Sequence, residues 1–279
     1  MIPHSASTLA GLERDAAAGT VARNFLGPGP EAVRLEVELG ERYGRRRAFA
    51  VSTGFHALLL AVRALDLAPG ARVALPTLTC PSVLAAVESA GHRAILADVD
   101  EASLAIDPER IGPVDAVVAP HAYGAPADAR AIAAGGRPWI EDCATSPSAG
   151  GAARTGTLAV LSFAGTKYVT AGAGGAVLTD DETFAARIEW LLAMPPGGAD
   201  LWRGPPPPHL PGRLADLNAA VARVQLARLD EFHRRRRELA AVYGEALRGG
   251  PWRTPELRPE HGFYRYVLLT EAPAGPLAE

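Results

Sequence analysis

With 279 residues, 48% hydrophobic and 21% charged, the chain can bury a large core in one domain, or in a large and a small one, and is not of the disordered class. Its formal net charge of −3 supplies no basic field, which argues against nucleic acid as the main partner. Cys80 and Cys143 are isolated, no apolar run reaches the roughly 18 residues of a membrane span, and MIPHSASTLAGLERD lacks the regions of a secretory leader. A soluble cytoplasmic protein with no metal site, away from membranes, is expected.

An amphipathic stretch at Glu31–Tyr43 predicts the first helix. AFAV (Ala48–Val51) then reads as a buried strand, Phe55–Leu65 as a helix, RVAL (Arg72–Leu75) as a strand and Ser82–Ala90 as a helix. AILADV (Ala94–Val99) and DAVVAP (Asp115–Pro120) are strands, Ala127–Ala134 a helix, and PWIED (Pro138–Asp142), LAVLSF (Leu158–Phe163) and GAVLT (Gly175–Thr179) further strands. Each run is too short for a helix and is bounded by Gly, Pro or polar residues. The alternation predicts an α/β fold with a mostly parallel sheet of about seven strands covered by helices on both faces. Ligands of such sheets sit beyond the carboxyl ends of the strands.

A helix at Glu182–Ala193 leads into the Pro/Gly-rich MPPGGADLWRGPPPPHLPG, a loop or polyproline segment that is either a linker or an arm to a neighbouring subunit. One long helical pattern follows, LADLNAAVARVQLARLDEFHRRRRELAAVYGEALR. Its run Arg234–Arg237 faces several directions and precedes Glu238, as on a solvated helix face. FYRYVLL predicts a last strand before a Pro/Gly tail. The expected division is a large domain over 1–193 with an N-terminal arm over about 1–30, a linker over 194–213, and a long helix with a small C-terminal part over 214–279.

Of 28 Lys plus Arg residues, Lys167 is the sole lysine, and it lies in LSFAGTKYVTAGAGGAVLTDD between a core strand and a glycine cluster. Codon bias towards arginine explains the rarity of lysine but not this location, since an incidental lysine belongs on a solvated surface. Unlike a guanidinium, a desolvated lysine can lose its proton and form a Schiff base with a carbonyl. Such a lysine suggests pyridoxal 5'-phosphate, which needs an acid for its ring nitrogen and backbone N–H donors for its phosphate. Asp142 ends the strand PWIED and is the candidate acid; Glu141 alternates to the other face. The turn at Gly54 before a helix is the candidate phosphate cradle, with Ser162 adding a hydroxyl. Gly172, Gly174 and Gly175 suit close backbone approach or positive φ. No GK[ST] follows, so this is not a nucleotide-binding P-loop.

SFAGTKYVTAGAGGAVLTDD, WIEDCATSPSAG, STGFHALLLAVRAL, LPTLTCPSVLAAVESAGHRAILADVDEASLAID, VVAPHAYGAPAD and LPGRLADLNAAVARVQLARLDEF together resemble the DegT/DnrJ/StrS aminotransferases, from about Asn24 to Tyr266. The resemblance implies the fold-type I architecture of pyridoxal-phosphate transferases with an abbreviated C-terminal α+β subdomain. It implies that Lys167 is the Schiff-base lysine and proton shuttle, that Asp142 pairs with the pyridinium, and that Gly54 and Ser162 hold the phosphate. It further implies an amino acid donor, L-glutamate, a keto-sugar acceptor that can be nucleotide-linked, and a homodimer with shared sites.

Several positions depart from the family pattern. Phe55 stands where the family has a phosphate-binding threonine, and Cys80 where an aromatic stacks on the cofactor ring, a space that Phe55 or His56 would have to fill. Thr145 replaces a glutamine, Pro211 replaces the asparagine lent by a partner subunit, Ala173 replaces the acid of a GEGG motif, and the family extends beyond this C-terminus. Three readings follow: an active but divergent aminotransferase, a non-catalytic cofactor- or partner-binding subunit, and a fragment that folds poorly alone.

Overall fold

The computed structural model describes residues 7–148, 150–193 and 209–271. In chain order the elements are α1 (Gly11–Ala22), α2 (Pro30–Tyr43), β1 (Arg47–Val51), α3 (Gly54–Ala64), β2 (Arg72–Pro76), α4 (Pro81–Ser89) and β3 (Arg93–Ala97). They continue with β4 (Ala116–Pro120), α5 (Ala129–Ala134), β5 (Trp139–Asp142), β6 (Leu158–Ser162), β7 (Gly175–Thr179), α6 (Glu182–Leu192), α7 (Asp216–Ala227) and α8 (Leu229–Ala246). All seven expected strands form, in one sheet of order β1-β7-β6-β5-β4-β2-β3. The five from β2 to β6 pair in parallel, whereas β7 runs antiparallel to both β6 and β1.

The period-2 alternation of the strands splits the core between two faces. Ile140, Leu158, Val160 and Val177 pack under α3, α4 and α6. Ala159, Leu161, Ala176 and Leu178 face α2 and α7, and Trp139, Val117 and Ala119 pack with Ile132 of α5. Asp142 and Ser162, two residues beyond Ile140 and Val160, therefore emerge on the α3 face. Glu141 emerges on the opposite one.

Two expectations need correction. The single long helix is two, because the backbone at Arg228 (φ −95, ψ 1) interrupts the ladder. The break leaves Leu226, Leu229 and Phe232 all facing the core, while the Arg228 side chain bonds Glu13 and Glu231. FYRYVLL is not a strand: Phe263 has φ 52, and the stretch is held by the isolated bridge Arg253↔Leu269, by the loop after β4, by Arg236 of α8 and by the loop that carries Lys167. Helix α1 lies inside the expected arm; Glu13, 2% exposed, ties it to α7 through Gln225. Most of the Pro/Gly-rich segment lies outside the described residues. Its end, Leu210–Leu214, follows the edge of β1, with Ser52 N–H donating to Gly212 O (2.7 Å) and Leu214 N–H to Ala50 O (3.0 Å). Asp216 caps α2 from α7 by accepting from the N–H groups of Gly29 and Ala32.

On the face away from α3, Glu141 is 1% exposed. Its carboxylate accepts from His121 Nε2 (3.0 Å), Ala153 N (2.8 Å), Thr155 N (3.0 Å), Thr155 Oγ1 (3.1 Å) and Gly156 N (2.9 Å). His121 Nδ1 accepts from Ala127 N–H (3.0 Å), so Nε2 carries the ring hydrogen. Cys143 lies close enough to His121 and Glu141 for the three to resemble a metal site. Both His121 nitrogens and both carboxylate oxygens are nevertheless engaged in hydrogen bonds. Burial works to raise the Glu141 pKa, but the bond from His121 and the N–H groups of Gly156 and Thr155 outweigh it and hold the group at about 2. A depressed carboxylate pKa stabilises the fold above the unfolded value and loses that contribution as pH falls through the folded one, here on the order of 3 kcal/mol. The melting temperature of the wild type should therefore fall between about pH 4.5 and pH 2. Glu141→Gln should be less stable at pH 7 and should lose most of this slope; an unchanged slope in thermal melts across the range would refute the assignment.

Candidate active site

Lys167 sits in the loop from β6 to β7. Phe163 N–H donates to Gly174 O (2.8 Å), Ala171 N–H to Phe163 O (2.9 Å) and Lys167 N–H to Ala164 O (2.9 Å), which folds the loop back over the carboxyl end of the sheet. Gly174 has φ +140, and a Cβ there would meet Phe163 at 3.0 Å and Leu214 at 3.1 Å. The closure therefore needs glycine.

Facing this loop, Asp142 is 6% exposed and accepts from Ala144 N–H (2.9 Å). Burial pushes its carboxyl above the usual range, against the pull of the Ala144 bond and the Lys167 charge. Thr53 caps α3 by accepting from His56 N–H (3.0 Å). The N–H groups of Gly54 and Phe55, first in the helix, have no intrahelical acceptor and point out of its positive end. A Cβ on Gly54 would lie 2.7 Å from both Cβ and Oγ of Ser162. Glycine thus lets the helix start approach the strand closely enough for the two to form one cradle.

These groups share a cavity of about 520 Å3 at the carboxyl ends of β4, β5 and β6, within the size range of small-ligand sites. Gly54, Phe55, Cys80, Asp142, Thr145, Ser162 and Lys167 all line it. The seven site residues expected from the sequence are therefore brought together. Thr145 turns its hydroxyl to His121 O (2.7 Å), and the Cys80 thiol lies 3.5 Å from Ser82 Oγ. Phe55 lines the cavity, but His56 does not: its Nε2 bonds Leu210 O (3.0 Å) and its Nδ1 faces Ser52 Oγ (3.1 Å). Pro211 lies between Leu210 and Gly212, two of the residues that tie this segment to its own chain.

Sequence reasoning missed Tyr123 and Tyr264, both on the cavity wall. Tyr123 had a local signal in the turn HAYG and takes φ 50. Tyr264 had none, since its place depends on contacts to distant loops. A larger groove of about 1140 Å3 lies among α1, α2, α7 and the loop after β5. Several of its charges are already matched, Arg223 with Glu31 and Glu38 and Arg42 with Asp230, and it holds none of the expected residues.

Cavity, lysine, buried acid and helix start fit the demands of pyridoxal phosphate. The fit rests on the Gly54–Ser162 approach and on an acid buried opposite an amine.

The chain is similar to the aminotransferase TlmJ from Streptoalloteichus hindustanus, with 29% identity and a TM-score of 0.84 over 95% of this chain and 78% of that one. It is similar to the sugar aminotransferase CalS13 from Micromonospora echinospora, with 26% identity and a TM-score of 0.83 over 96% and 80% of the two chains. The E. coli GDP-4-keto-6-deoxy-D-mannose-3-dehydratase with bound hydrated PLP shares the fold, at 20% identity and a TM-score of 0.86 over 98% and 79%. Residues 9–275 match the DegT/DnrJ/EryC1/StrS aminotransferase family, and the chain belongs to that family.

Proposed function

We propose that the chain is a pyridoxal-phosphate-dependent aminotransferase that moves an amino group from an amino acid donor, L-glutamate, to a keto-sugar or similar keto-substrate. The observation that carries the reading is the sole lysine of the chain facing one cavity with a buried aspartate and an open helix N-terminus. When bound through Lys167, the cofactor supplies an electron sink next to the substrate carbon.

The residues of the chain do the rest. The N–H groups of Gly54 and Phe55, with the positive end of α3, hold the phosphate, and Ser162 Oγ adds a hydrogen bond. Asp142, buried and raised in pKa, would gain a cationic partner in the protonated ring nitrogen, and the ion pair would keep that nitrogen charged. Nζ of Lys167, as a free amine, takes the proton from the α-carbon of the donor, and as an ammonium it gives the proton up again. Leu58, Leu78 and Val83 exclude water from the apolar side of the cavity. Phe55 and Leu78, 39% and 38% exposed at its rim, fit a homodimer in which the partner completes the wall.

Adding pyridoxal phosphate to the purified protein should produce a visible band, absent in Lys167→Ala, and L-glutamate should discharge it. No band overturns the cofactor reading, whereas a band that ignores every amino donor assigns the chain to a non-catalytic binding role. Asp142→Asn separates function from stability. A carboxyl whose folded pKa is raised costs stability once pH climbs through that value, and asparagine carries no such charge. The variant should melt about 2 °C higher without cofactor at pH 8, while glutamate-driven discharge slows by about a hundredfold or more. A lower melting temperature, or an unaltered rate, would remove Asp142 from this role.

A further inference from the structure

The departures from the family pattern leave the cavity without the usual aromatic at Cys80, yet an aromatic ring does face the lysine, from another part of the chain. Lys167 Nζ lies 5.3 Å from the centroid of the Tyr264 ring, inside the roughly 6 Å limit of a cation–π contact. Tyr264 lines the cavity, and its hydroxyl donates to the carbonyl of Thr166 (3.4 Å), the residue before the lysine.

The position of the ring is built from several segments. Gly262 N–H donates to Gly124 O (2.7 Å) and Arg265 N–H to Tyr123 O (3.2 Å). Arg236 Nη1 donates to the carbonyls of both Phe263 and Tyr264, at 3.2 Å each, and Tyr168 stacks on Tyr264 at 6.4 Å. Gly124 has φ +110, and a Cβ there would lie 2.5 Å from Phe263 N, so glycine permits the close approach of the two loops. A second cation shares the ring, the Arg265 guanidinium at 4.8 Å.

We propose that Tyr264 is a positioning residue for Lys167, its ring face holding the lysine ammonium when that group is neither bonded to the cofactor nor moving a proton. Lysine ends in a compact charge on a flexible four-carbon stem. In amino transfer it must leave the cofactor and return to the same carbon, so a fixed resting place shortens the search. The role in turnover rests on the aminotransferase reading; the contact itself does not.

The test uses the fact that Lys167 is the sole lysine. Amine-directed acetylation of the cofactor-free protein, read by peptide mass spectrometry, reports this side chain, with the α-amino group as internal standard. Removing the ring removes both its cover and its attraction for the ammonium. Tyr264→Leu should therefore label about two- to fivefold faster at pH 8, and Tyr264→Phe within about 1.5-fold of wild type. In single-turnover mixing of the loaded protein with L-glutamate, Tyr264→Leu should slow discharge of the visible band by about tenfold and Tyr264→Phe by no more than about twofold.

Equal labelling in wild type and Tyr264→Leu, or equal change in the Leu and Phe variants, overturns the ring contact. Faster labelling with undiminished discharge overturns the positioning role. Should Tyr264→Leu fail to fold, Arg265→Gln reads the contact with the opposite sign. With one cation fewer on the ring, Lys167 labelling should fall, and a rate at or above wild type overturns the proposal. If the wild type takes up no cofactor, the aminotransferase reading fails while the labelling arm still decides the contact.

Discussion

A single buried carboxylate orders the carboxyl end of the sheet. Glu141 takes five hydrogen bonds from groups that belong to the end of β4 and to the loop before β6. A carboxylate is a good hub for such a junction because its oxygens accept several bonds at once, and each N–H it accepts from would otherwise be buried unpaired. The same network sets the direction of Asp142. Once Glu141 is anchored on one face of β5, the next residue must point to the other, where α3, Ser162 and the lysine loop meet.

The site is thus an outcome of alternation and close approach rather than of local sequence. Glycine at 54 brings a helix start to within contact of Ser162, and glycine at 174 folds the lysine loop back on itself. Opposed features then share one cavity: an acid that burial drives towards neutrality, an amine, and the positive end of a helix. Without a ligand these features are unfavourable or unmatched, the usual cost of a preorganised site. They become complementary when an anionic, nitrogen-containing ring is placed among them.

The departures at the periphery also gain a physical account. His56 does not fill the space beside Cys80; it fastens α3 to the segment around Leu210. Thr145 serves the backbone of His121. The aromatic surface facing the lysine comes instead from Tyr264, on a stretch whose alternation suggested a strand. That stretch pairs with no strand of the sheet; its aromatic residues pack against loops and α8, with Phe263 at positive φ.

The sequence by itself determined the seven strands, because short runs of buried residues bounded by Gly and Pro carry their own signal. It also singled out Lys167, through its uniqueness and its apolar surroundings, and Asp142, through its place at the end of a strand. It missed α1, whose GLERDAAAGTVA has a weak apolar face, and it joined α7 to α8 because their periodicity continues across Arg228. Only the tertiary structure decided that Tyr264 meets Lys167, that His56 turns away and that Glu141 gathers its donors. The physical reason is that pattern and propensity act over a few neighbouring residues. These contacts join positions up to 154 residues apart, and only the packed sheet brings them together.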